Sequence, residues 1–328
     1  MDPRHRKRAR AACLAFLLLV SMPAQGQNAG EDAPFVEPAI QSLELAPDTT
    51  HRLQNAMLAH DYIMAEKLLL AEIDRDPHSP RGARLLTFAG TVYFRDQDYF
   101  NAAIAWKKSE AIVPLDPDIQ FSLAMAYVRM GRPAWARPVL ESLARKNEKD
   151  AVYPYWLGRL DYDGHDYNQA IKHFQYAIEL NPQMARAYDN LGLCYYYQNE
   201  NELAVTNYEK AIELERGSDH ASPWPYLNLA ITQQFLNRLQ EAEKNLREAI
   251  RLDPGFAKAH FQLGTVLEDR GRLEDALAEL RQAVKFDATY PEPHMAMARI
   301  LHKMGRESEA KNEVQMYLRL HPPSTPRP

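Results

Sequence analysis

Cysteine is almost missing from this chain: 328 residues hold two, Cys13 and Cys194. Only Cys194 lies outside the N-terminal segment, so no intramolecular disulfide can brace the mature chain, and stability falls to packing. Basic charge is not in excess either. Lys and Arg number 39 against 44 Asp and Glu, a formal net charge of −5. A net acidic surface argues against nucleic acid or anionic lipid as the main partner. The apolar run from Ala11 to Val20 has ten residues, too few to span a bilayer comfortably. The motifs of catalysis are missing as well: there is no P-loop, no Gly-x-Gly-x-x-Gly, no Gly-x-Ser-x-Gly, no His-Glu-x-x-His and no Cys-x-x-Cys. An enzyme is not expected, nor a cofactor.

A period is present instead. Ala65, Ala102, Ala136, Ala170, Ala204, Ala242, Ala276 and Ala310 are separated by 37, 34, 34, 34, 38, 34 and 34 residues. Twelve residues before each stand Leu53, Gly90, Ala124, Gly158, Gly192, Ala230, Gly264 and Ala298, all small but the first. Four residues after come Leu69, Trp106, Leu140, Phe174, Tyr208, Leu246, Leu280 and Val314, all apolar. Small residues let two helices approach closely, and large ones fill the gaps between hairpins. Pro77, Pro114, Pro182, Pro254 and Pro322 close five of the units; Asn181-Pro182 and Asp253-Pro254 read as helix stops. A period near 34 marks a helix-turn-helix array.

The pattern resembles the tetratricopeptide repeat family. The best unit, from Ala185, reads Tyr188, Leu191, Gly192, Tyr195, Ala204, Tyr208 and Ala211 at the family's spacing. The resemblance implies an all-α fold, a right-handed superhelical solenoid of about eight units. These are expected near 46–79, 83–116, 117–150, 151–184, 185–218, 223–256, 257–290 and 291–322. In the first, Thr49 and Arg52 stand where large apolar residues belong, which leaves a capping helix pair or a lone second helix over about 61–75.

Residues outside the array read differently. Arg4, Arg6, Lys7, Arg8 and Arg10 precede the apolar run, and small residues follow it to Ala24 or Gly26. This is a signal-peptide pattern, so the mature chain is expected to be exported, periplasmic or secreted, with no integral membrane segment. Removing residues 1–26 takes away a net +4, and the −5 of the whole chain becomes −9. Residues 27–45 are expected to form a flexible leader and 323–328 a disordered proline-rich tail. Extra residues around Pro80–Gly82 and Ser218–Ser222 are read as passive lengthened joints. His260 and His294 hold equivalent places; packing between helices is favoured over a metal pair, because zinc would want further ligands.

In the family, the first helices of successive hairpins line a concave groove. The register puts Phe121, Tyr155, Arg159, Tyr162, Asp189, Asn190, Tyr196, Tyr197, Trp224, Asn228, Phe235, Lys258 and Phe261 there. Accessible rings supply large contact area at low entropy cost, so the groove is expected to bind a protein or peptide in an envelope assembly. A glycan laid along coplanar rings is the alternative. Asn190, Asn228 and Lys258 fall at places of a family clamp for C-terminal carboxylates. Asp189, Leu193 and Gln262 break that clamp, and Asp189 would repel a carboxylate.

Overall fold

A computed structural model describes residues 40–321. The expected signal peptide, most of the leader, Pro322 and the tail lie outside them. Sixteen α-helices and one short 3-10 turn make up the described residues, which contain no strand. They divide into two units, one ending at Glu148 and one beginning at Lys149. The first unit holds the 3-10 turn Ile40–Leu43 and the hairpins α1 (Pro47–Leu58) with α2 (Tyr62–Ile73), α3 (Pro80–Arg95) with α4 (Tyr99–Glu110), and α5 (Pro117–Arg129) with α6 (Pro133–Lys146). The second holds α7 (Val152–Asp163) with α8 (Tyr167–Leu180), α9 (Ala185–Tyr197) with α10 (Asn201–Glu215), and α11 (Trp224–Phe235) with α12 (Leu239–Leu252). It continues with α13 (Ala257–Asp269) and α14 (Leu273–Phe286), then α15 (Glu292–Lys303) and α16 (Glu307–Leu320).

Each hairpin turns by the same device. The residue ending the first helix takes a left-handed conformation: His60, Gln97, Gly131, His165, Asn199, Asn237, Gly271 and Gly305, with φ between 55° and 77°. The next residue's N–H donates to the carbonyl five positions back at 2.8–2.9 Å in all eight hairpins. That bond satisfies a carbonyl the helix end would otherwise orphan. In three hairpins the following Asp caps the second helix: Asp61, Asp98 and Asp166 accept from the backbone N–H groups of Met64, Asn101 and Gln169. Three of the second helices stop where Asn181, Asp253 and Asp287 swing to extended backbone. At Asn181 and Asp253 the following proline enforces that conformation.

The alanine period marks the tightest point of every hairpin. Seven of the eight alanines are fully buried and Ala310 is 7% exposed. In four hairpins the residue twelve before the alanine is a glycine lying under the large residue four after it. A Cβ built on Gly90 would stand 2.5 Å from the Trp106 ring, one on Gly158 2.8 Å from Phe174, and one on Gly192 2.6 Å from Tyr208. On Gly264 it would meet Leu280 at 2.7 Å. Trp106 completes its site by donating Nε1–H to the Thr87 carbonyl at 3.0 Å. Close packing thus fixes which helix faces meet.

Of the two alternatives left open for the first unit, the structure has the helix pair, α1 with α2. Two readings of the sequence need correction. The leader is not flexible throughout: Leu43 is fully buried in a cluster with Leu53, Leu69 and Leu85. Arg84 holds this segment by donating to the Ser42 carbonyl and pairing with Glu44 at 2.6 Å. Burial of one leucine and two charge-assisted bonds outweigh the entropy a free segment would keep. Finally, Pro80–Gly82 is no loop but the first turn of α3, with Ser79 accepting from the Gly82 N–H at 2.9 Å.

Two substitutions separate packing from backbone strain. Gly192→Ala forces the buried Tyr208 ring to move and is expected to cost about 1–3 kcal/mol. Gly271→Ala meets no atom within 4 Å but keeps φ at +77°, so it should cost about 1 kcal/mol through the backbone alone. Urea unfolding of both variants checks this; a neutral Gly192→Ala would mean the ring is not seated as described.

Candidate functional site

In the second unit, side chains at equivalent places on the first helices of successive hairpins touch one another. Arg159 on α7 donates Nη1–H to Asn190 Oδ1 on α9 at 2.8 Å. Asn190 spends its own amide on the Arg186 carbonyl at 2.8 Å and the Tyr155 hydroxyl at 3.4 Å. Asn228 on α11 donates to Asp189 on α9 at 2.9 Å. Gln234 on α11 donates to Asp269 on α13 at 2.6 Å and accepts from Gln262. Glu268 on α13 takes Arg299 and Lys303 of α15. Burial works against the Glu268 charge, yet these two cations hold its pKa below the ordinary value. The first helices are therefore tied in sequence by a polar ladder, mostly withdrawn from solvent. Buried polar groups persist only when paired, and these are.

Above the ladder lies a half-open layer. Tyr162 and Tyr197 meet edge to face at 5.9 Å, and Tyr197 stacks on Tyr167 at 4.9 Å with planes 2° apart. Tyr196 stands at 77° to Tyr197. Burial raises the pKa of Tyr162 and of Tyr197, so both are neutral hydroxyls at physiological pH. Further along, Lys258 Nζ sits 4.9 Å over the Trp224 ring, which itself meets Phe256 at 4.9 Å. Burial lowers the Lys258 pKa while Asp287 and Glu292 partly restore it. Phe235, at the end of α11, is 52% exposed.

The thirteen residues expected in the groove thus divide by depth. Tyr162, Tyr196, Tyr197, Trp224, Phe235 and Lys258 are half-buried or exposed. Tyr155, Arg159, Asp189, Asn190, Asn228 and Phe261 are buried, the polar members among them as rungs of the ladder. Phe121 is buried in the first unit. Asn190 and Asn228, placed in the groove by register, turn their side chains to the chain itself: Asn190 is fully buried and Asn228 is engaged with Asp189. Lys258, covering Trp224, completes the dismantling of the carboxylate clamp. The rings are not coplanar, as a glycan platform would need; only Tyr167 and Tyr197 are parallel, and they stack on each other.

Tyr167 was missed by the groove register because it opens a second helix. The signal that could have found it is an Asp-Tyr whose aspartate stands four residues before a period alanine, at Asp61-Tyr62, Asp98-Tyr99 and Asp166-Tyr167, a spacing that Asp161-Tyr162 inside α7 lacks. There the aspartate caps the helix and the tyrosine begins it. In two of these the hydroxyl also meets the left-handed histidine: His60 with Tyr62 at 2.9 Å, His165 with Tyr167 at 3.1 Å.

Other candidate chemistry resolves into packing. His260 and His294 are buried, each bonded within its own hairpin, to Glu279 at 2.7 Å and Glu313 at 2.6 Å. Cys194 is fully buried, and burial pushes its thiol up to about 12, far from a reactive thiolate. No described helix is long and apolar enough to cross a membrane.

Comparison with known proteins agrees with the hairpin period. Family models described as tetratricopeptide repeat match residues 183–254, 236–300 and 268–327, and one described as TPR repeat matches 158–198. The protein STIP1 homolog of Dictyostelium discoideum is 34% identical over 112 residues, which is 34% of this chain and 18% of that protein. The chain thus spans less than a fifth of that curated relative's length. Among solved structures, yeast Tom70 superposes with a TM-score of 0.57 at 17% identity, covering 85% of this chain and 62% of its own. The Cut9–Hcn1 hetero-tetramer of the APC/C superposes with a TM-score of 0.59 at 16% identity, covering 77% and 48%. At such identities the likeness is one of fold.

The ladder and the buried His260 each yield an expectation. Asn190→Ala deprives the buried Arg159 guanidinium of an acceptor and should cost about 1–3 kcal/mol in urea unfolding. His260 answers to pH. Desolvation lowers its pKa, but the bonds to Glu279 and the Pro254 carbonyl more than offset this, and the net shift is upward. Its contribution is then full below the unfolded value of about 6.5 and lost as pH rises through the folded one. The stability gap between wild type and His260→Phe should therefore be wider at pH 6 than at pH 8; a gap that widens with pH would contradict the assignment.

Proposed function

The chain carries tetratricopeptide repeats through residues 158–327, and we propose that it is a non-enzymatic adaptor holding a protein or peptide partner along the first helices of its second unit. The observation that carries this reading is the half-open set of Tyr162, Tyr197, Trp224 and Phe235 beside the polar ladder that ties the first helices together. Such a surface is ordered before its partner arrives, so little conformational entropy is lost on binding. Tyr and Trp are also the residues on which binding energy concentrates at interfaces. The surface offers contact area and hydrogen-bonding rims rather than an acid–base pair poised on a reacting group.

The site of action belongs to the same proposal. The basic and apolar order of residues 4–20 supports export, and the adaptor reading then places the partner in the cell envelope or outside it. Extended peptides suit the surface better than glycans, because its rings meet edge to face and leave no flat platform for a sugar.

Phe235→Ser tests the reading, since the residue is exposed and its loss should change stability by less than about 0.5 kcal/mol. Leu203→Ser, on the outward side of α10 and 46% exposed, is the matched control. Captured from an envelope extract, a partner should be retained by wild type and Leu203→Ser and lost by Phe235→Ser. Equal capture by all three would overturn the assignment of this face.

A further inference from the structure

One register place on the first helices reads Asp163, Tyr197, Phe235, Asp269 and Lys303, at intervals of 34, 38, 34 and 34 residues. These match the alanine intervals, so the five side chains occupy one row across α7, α9, α11, α13 and α15. The carboxylates of that row differ. Asp269 accepts a hydrogen bond from Gln234 at 2.6 Å and lies near Arg299, so its charge is answered from within. Asp163 ends α7 with its side chain 41% exposed, and its cation, Arg159, stands 3.6 Å away with another nitrogen committed to Asn190. Burial raises the Asp163 pKa, and Arg159 and His165 offset this only in part.

The surroundings favour a positive charge further. Asp163 lies at the C-terminal, negative end of the α7 dipole. Tyr162 beside it and Tyr197 next in the row present ring faces and edges, and an aromatic face attracts a cation. Arg159 already uses this preference, lying 5.7 Å over the Tyr162 ring. After Asp163 the row turns apolar at Tyr197 and Phe235.

Resting on the adaptor reading, we propose that the partner is an extended segment that places an arginine or lysine at Asp163 and apolar side chains at Tyr197 and Phe235. Packed helices stand roughly 10 Å apart, which is about three residues of extended chain. The partner motif is therefore basic-x-x-apolar-x-x-apolar. Asp163 selects the charge, and the two rings supply contact area.

The probe is a dye-labelled, amidated peptide, Gly-Arg-Gly-Ser-Leu-Gly-Ser-Leu-Gly, titrated into the full chain by fluorescence anisotropy. Companion peptides carry Ala or Glu in place of Arg. The Arg peptide should bind at least fivefold more tightly than the Ala peptide, and the Glu peptide most weakly. Asp163→Asn, with helical content verified by circular dichroism, should erase the Arg-over-Ala difference, while Phe235→Ser should weaken the Arg and Ala peptides alike. Equal affinity for the three peptides, no binding of the Arg peptide, or an Arg preference that survives Asp163→Asn would each overturn the motif. If a captured partner still depends on Phe235 while the Arg preference is missing, the cation subsite falls and the adaptor reading stands. Loss of both leaves neither.

Discussion

In three hairpins a ring seated on a residue without a side chain sets how closely the two helices pack. Trp106 on Gly90, Phe174 on Gly158 and Tyr208 on Gly192 leave no room for a Cβ between them. Because the two helices can close only at that point, the neighbouring alanine is forced into the crossing and buried. Within the second unit the first helices then stand in order, and residues 34 or 38 apart become neighbours. In a stack of this kind each hairpin relies on those beside it, and stability accumulates along the array. No disulfide is needed, and with Cys194 alone outside the N-terminal segment none is available.

The polar ladder shows how such a stack can carry a binding surface without becoming loose. Arg159, Asn190, Asp189 and Asn228 are withdrawn from solvent, Arg159 bonded to Asn190 and Asn228 to Asp189. A half-satisfied set would be costly in a low-dielectric interior; a paired one rigidifies. The rings above inherit that rigidity. Their mixture of neutral hydroxyls, apolar edges and the Asp163 carboxylate is what the adaptor proposal takes as its recognition surface.

The turns show a different balance between local preference and tertiary demand. All eight take the left-handed conformation, but only Gly131, Gly271 and Gly305 are glycine, while Asn199 and Asn237 are the next most tolerant residue. Gln97, His60 and His165 adopt it against their preference. Those three turns are invisible to a search for glycine. They are legible only through the Asp-Tyr that follows, whose aspartate caps the next helix and whose tyrosine, at His60 and His165, bonds the strained histidine.

The period of the alanines and their partners pointed to helical hairpins, because each of those contacts is made within 16 residues and recurs along the array, whereas Thr49 and Arg52 left the first unit open and the start of α3 read as a joint. Even the passage from Asn181 or Asp253 into proline marked a helix end that the structure keeps. Tertiary structure alone decided which side chains of the first helices are open. Tyr155 and Tyr162 are equally good groove candidates by register, yet one is buried under Arg186 at 4.6 Å and the other remains half-open beside Tyr197. Accessibility depends on how far the side chains of the next hairpin reach, across some thirty residues. A repeat pattern records the place of each residue but not the length of its neighbour's arm.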